Sequence, residues 1–94
     1  MDKILIEVPH ATLDFYKYKK DDLVYNEFNA VECTPPEPMM NTMCGLQMLK
    51  DENERLIGIY FHEPFPLYQR ISVNFEYISK ELENGDFLVI FKRK

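Results

Sequence analysis

Two proline-rich loops constrain this chain more than any other feature. Pro35-Pro36-Glu37-Pro38-Met39 and His62-Glu63-Pro64-Phe65-Pro66-Leu67-Tyr68 each end an apolar, strand-like run and open a helix-like one. A residue before proline is steered away from the α conformation, so Glu37 and Glu63 are expected to be extended. Pro38 and Pro66 suit the first helical position, where a missing N–H costs nothing. Thr34 and Glu37 match a T-x-x-E capping box. That register would put Pro38 at the fourth helical position, where its ring meets a carbonyl needing a donor. Glu37 is therefore expected as the N-cap, its charge favourable beside the helix dipole. In a parallel β-α-β arrangement both loops fall at one sheet edge, where α/β folds usually build their sites.

The flanking segments fill in the order. Residues 3–8 read as a short strand closed by Pro9, residues 13–18 alternate loosely, and Lys19-Lys20-Asp21-Asp22 reads as a polar turn. Residues 23–31 form a strand, and a helix is expected from Pro38 to Leu49. Residues 55–61 and Phe87-Leu88-Val89-Ile90-Phe91 are apolar on both faces, as in central strands covered on both sides. Residues 66–72 read as a short helix. Residues 73–80 and 86–93 form a hairpin across Glu83-Asn84-Gly85-Asp86, where Asn and Gly both tolerate positive φ. The fold class is α+β: β-α-β-α-β-β behind an N-terminal β extension, with the helices burying their apolar faces on the sheet as a two-layer α/β sandwich.

A 94-residue chain fits one domain, and 46% hydrophobic residues supply a core. Lys and Arg number 11 against 16 Asp and Glu, a net charge of −5. That balance argues against nucleic acid and anionic membrane as partners, since both call for a basic surface. Lys92-Arg93-Lys94 is a basic cluster that reads as a solvated tail. Cys33 and Cys44 make no disulfide framework, Ile4-Leu5-Ile6 is stopped at once by Glu7, and no apolar run reaches membrane-spanning length, so a reducing cytoplasm is the expected location.

On the first helix, Met39, Thr42, Met43, Leu46 and Leu49 share one face, assigned to the core. Met40, Cys44 and Met48 form a second stripe, either a broadened core face under the N-terminal extension or an adaptable surface for a partner or a homodimer. Gly45 weakens the helix by about 1 kcal/mol relative to Ala but permits close backbone approach.

These motifs resemble the TusA/SirA-like superfamily of small α/β proteins. Its sulfur carriers have a Cys-Pro-x-Pro motif at the first strand-to-helix loop and an Asp-Asp-Pro step after the second strand. This chain has Pro35-Pro36-Glu37-Pro38-Met39 and His62-Glu63-Pro64 at the corresponding places. The likeness is greater to a branch of unassigned function with PPEPM and HEPxPLY loops, found alone or fused to other domains. It covers residues 24–94 as a TusA/SirA-like domain and leaves residues 1–23 as an N-terminal extension. The resemblance implies a mixed four-stranded sheet, its last strand between the second and third, with both helices on one face. Pro35 stands where the carriers have their persulfide-bearing cysteine, so the carrier chemistry does not transfer.

Three functions follow. The first is a non-enzymatic binding or interaction module, its surface built from Glu37, His62, Glu63, Phe65 and Tyr68, with a protein or a small polar ligand as partner. The second is sulfur or redox chemistry through Cys33, which reads more simply as a small hydrophobe. The third is metal or haem binding at His62 with Glu63 and Glu37. These are suitable donors, but HxxxH and CxxC spacings are missing and a catalytic metal usually takes three protein ligands, so no metal and no other cofactor is expected.

Overall fold

Asp21 and Asp22 both take positive φ, 53° and 67°, a left-handed conformation that aspartate tolerates better than most residues. The two-residue turn they make folds the N-terminal residues back onto the next strand. The computed structural model describes residues 2–94. Strands β1 (Ile4–Ile6) and β2 (Phe15–Lys20) pair antiparallel, and β2 pairs antiparallel with β3 (Leu23–Asn29). Helix α1 (Glu37–Leu46) then crosses to β4 (Glu54–Tyr60), which lies parallel to β3. Helix α2 (Phe65–Ile71) leads to β5 (Phe75–Glu81), and β6 (Phe87–Arg93) inserts antiparallel between β4 and β5. The sheet has six strands in the order β1-β2-β3-β4-β6-β5. The resemblance implies four strands in the sheet, and residues 13–18 alternate only loosely in sequence. The extension adds the other two because the Asp21-Asp22 turn lets its backbone join the ladder. Lys19 and Lys20 belong to β2 rather than to the turn.

One core lies between the sheet and the two helices. Phe15, Phe28, Leu56, Tyr60, Val89 and Phe91 from the strands meet Leu46 from α1, Leu49 just past it, and Leu67, Tyr68 and Ile71 from α2. Both helices thus lie on one sheet face, giving two layers. The expectation that β4 and β6 are covered on both sides is corrected. Ile57, Ile90 and Ile78 are cross-strand neighbours on the helix-free face, and Ile57 is buried there by its neighbours. Across β1–β3 that face is closed by polar and aromatic contacts. Lys3 pairs with Glu27 at 2.9 Å, Tyr18 donates to Glu27 at 3.0 Å, and Tyr18 stacks on Tyr25 at 5.3 Å.

Local geometry differs from expectation at several points. Both helices start one residue early, so Pro38 and Pro66 occupy the second position and Pro36 and Pro64 the caps. The second position also lacks an intrahelical acceptor for its N–H, so proline remains harmless there. Glu37 is therefore not the N-cap, and it is helical rather than extended: tertiary contacts to its carboxylate and carbonyl override the local bias of Pro38. Helix α1 ends at Leu46, after which two tightened i→i+3 bonds, Met48 N–H to Gly45 and Leu49 N–H to Leu46, still deliver Leu49 to the core. The β5–β6 turn uses positive φ at Gly85 (91°) but not at Asn84. Gly85 N–H bonds to the Leu82 carbonyl and Leu82 N–H to that of Asp86, the pattern of a longer loop with a glycine bulge.

Candidate functional site

The parallel pair β3 and β4 brings both proline loops to one sheet edge, as the sequence implied. What each loop offers there is different. In the first, the Pro35–Pro36 peptide is cis. The Glu37 carboxylate accepts a hydrogen bond from Thr12 Oγ1 at 2.6 Å, and its charge acts on the neighbouring Cys33 thiol. Asn41 is buried and ties the same corner together. Its Oδ1 accepts from the backbone N–H groups of Thr12 (2.9 Å) and Leu13 (3.1 Å), and its Nδ2 donates to Thr12 Oγ1 and the Glu37 carbonyl. Glu37 is thus committed to clamping residues 12–13 onto α1. Neither Asn41 nor Thr12 was singled out from the sequence. The available signal was an asparagine inside a helix of methionines, a residue that ordinarily prefers caps and turns.

The rotation of α1 follows from that clamp. Asn41, Thr42, Gly45 and Leu46 are the buried residues of the helix, whereas Met43 is exposed and Met39 half-buried, so Met43 leaves the expected core face. A Cβ on Gly45 would lie 2.8 Å from Phe15 and 2.8 Å from Leu56, so glycine is what lets α1 sit down on β2 and β4. Cys44 and Met48 pack against the core while Met40 stays half exposed. Beside it runs a shallow trough of about 400 Å³ lined by His10, Pro36, Met39, Met40, Met43, Cys44 and Arg70.

In the second loop, Tyr68 is a core residue and not a surface ligand. It stacks on Tyr77 at 3.7 Å and donates to Glu63 at 3.0 Å, so Glu63 is held as its acceptor. Burial, with the Glu63 carboxylate adding to it, raises the Tyr68 hydroxyl well above the ordinary tyrosine range, against a bond to Ser79 that lowers it. The side chains left facing outward are Phe61, His62, Phe65 and Pro66. Phe61 packs edge-on to His62 at 4.5 Å, and Phe65 edge-on to Tyr68 at 6.0 Å. Phe61 was not among the expected site residues, since its place at the end of an apolar run read as core.

Cys33 and Cys44 are both free thiols. Burial and the neighbouring Glu37 and Glu32 carboxylates raise the Cys33 thiol above its ordinary value, which keeps it protonated. Among the described residues no group of three or more metal-ligating side chains comes together, and no helix is long and apolar enough to cross a membrane. The chain matches no protein-family model, and no curated protein or solved structure is significantly similar to it.

Proposed function

We propose that this chain is a non-enzymatic protein-interaction module related to the TusA/SirA-like carriers, and that it binds through the second proline loop. One observation carries the reading: Phe61 and Phe65 are 58% and 64% exposed on either side of an exposed His62. Each phenylalanine forgoes roughly 1–2 kcal/mol of burial, the exposed share of a full side chain, which a partner covering the loop would recover. The loop loses little freedom on binding, because Pro64 and Pro66 restrict it and the Glu63–Tyr68 bond anchors it. Aromatic side chains on a rigid base are the usual anchors of a protein interface. Support for the relationship comes from the two loops and from the order β3-β4-β6-β5. Against sulfur transfer, Pro35 has no nucleophile, and a thiol kept protonated beside two carboxylates is a poor one.

The test is affinity purification of the native chain and of folded His62→Ala, Phe65→Ala and Met40→Lys variants, read by mass spectrometry. A specific partner is expected to be retained by Met40→Lys and reduced about tenfold or more by each loop variant. Retention by both loop variants with loss in Met40→Lys would transfer the function to the methionine trough.

A further inference from the structure

We propose that β5 pairs with the β5 of a second copy of this chain, antiparallel about a two-fold axis through Ile78, joining the two sheets into one. Strand β5 is an outer strand of the sheet and spans seven residues, with a one-to-one ladder to β6 from Phe75 through Glu81. It carries no proline and no bulge, two of the devices that blunt an exposed edge; a third, charge, is present as Glu76, Lys80 and Glu81. The opposite edge is blunted by shortness, since β1 has three residues.

The charges on β5 select the partner and the register. Glu76, Ile78 and Lys80 alternate onto the helix-free face, while Phe75, Tyr77 and Ser79 face the helices. Two-fold pairing that keeps the faces aligned must be centred on a residue. Centred on Ile78, it sets Glu76 opposite the second copy's Lys80 and Lys80 opposite its Glu76, with Ile78 against Ile78. Centring on Glu76 or Lys80 sets like charges face to face, and centring on Tyr77 or Ser79 pairs neither charge with its opposite. Parallel in-register pairing sets Glu76 on Glu76 and Lys80 on Lys80. Directly opposite residues of one sign destabilise a pair and those of opposite sign stabilise it, so the sequence of β5 is complementary to itself in one arrangement. Ile78 is 72% exposed, and it continues the row Ile57, Ile90, Ile78 on the helix-free face. The two-fold axis would join that row to its copy. Such an isologous contact uses both β5 edges and closes as a dimer.

Sedimentation velocity on the full chain, from about 10 μM to about 1 mM, tests this, because edge pairing sits at the small end of stable interfaces. A concentration-dependent dimer is expected. Glu76→Lys and Lys80→Glu should each raise its Kd by about tenfold or more, since both ion pairs become like-charged. The double swap should restore the Kd to within about threefold, with the net charge back at −5. Mixing the two single variants should give a heterodimer. A monomer throughout the range, a dimer indifferent to both swaps, or a dimer broken only by Met40→Lys would overturn the proposal. The last would place the interface on α1.

Discussion

At the scale of single residues, Asn26 is the anomaly. It lies on the helix side of β3 beside Leu56, is 1% exposed, and neither Nδ2 nor Oδ1 has a partner among the described residues. A buried amide left unpaired costs about 1–3 kcal/mol, so Asn26→Leu, which keeps the branching and the number of side-chain heavy atoms, is expected to stabilise the fold by up to about that much in urea unfolding. A loss of stability would mean that the amide is satisfied in solution. The tyrosines make a second case. Burial holds the hydroxyls of Tyr60 and Tyr68 well above the ordinary range, and burial with Glu27 pushes Tyr18 up to about 12. These folded-state values exceed the unfolded one of about 10, so above that pH the unfolded chain binds fewer protons and gains relative to the native state. Stability is therefore expected to be complete below pH of about 10 and to drain as pH rises towards 12 and beyond, with a shallower slope in Tyr60→Phe. A pH-independent free energy of unfolding over that window would contradict the burial. Tyr60 also bonds Thr42 at 2.6 Å, and Thr42 in turn bonds the Pro38 carbonyl at 2.8 Å, which explains how a hydroxyl fits the core face of α1.

At the scale of elements, α1 sets a propensity against a contact. Gly45→Ala should gain about 1 kcal/mol of helix propensity. It should lose about 1–3 kcal/mol to overpacking, because the new Cβ meets Leu56 and Phe15 at 2.8 Å inside a closed core. Net destabilisation is expected in chemical unfolding, and a stabilised variant would show that α1 can lift off β2 without cost. The position and partner strands of Gly45 also mark what the sequence could and could not convey. Helix existence, the paired loops, the central places of β4 and β6 and the β5–β6 hairpin were legible, because period, proline and glycine act locally. The rotation of α1 was not, because Asn41 and Phe15 set it, and Phe15 reaches it only after an Asp21-Asp22 turn that reads as nothing more than polar. The candidate site was legible only as a location. Charge and ring type named Glu37, Glu63 and Tyr68 as ligand-facing groups, whereas the fold uses all three as internal fastenings. Phe61, one residue past the end of β4, is the one the apolar pattern concealed.

At the scale of the whole molecule, the two layers divide the surface. The helices cover one face of the sheet, Lys3, Tyr18, Tyr25 and Glu27 close part of the other, and the apolar row Ile57, Ile90, Ile78 crosses the β4-β6-β5 half of that face between the charged residues Glu76, Lys80 and Lys92. The aromatic loop lies at the edge where β4 ends and reaches the helix-side face of β5 through Tyr68 on Tyr77, whereas the proposed self-pairing uses the outer backbone edge of β5. Dimer formation and partner binding are thus expected to be separable: Glu76→Lys should leave partner retention intact, and Phe65→Ala should leave the Kd of self-association unchanged. The most direct test of the central claim is titration of the ¹⁵N-labelled chain with the protein it retains in affinity purification. The amides of Phe61, His62, Glu63, Phe65 and Leu67 are expected to shift or broaden first. Perturbation confined to residues 39–48 or 75–81, with the second proline loop silent, would contradict the account.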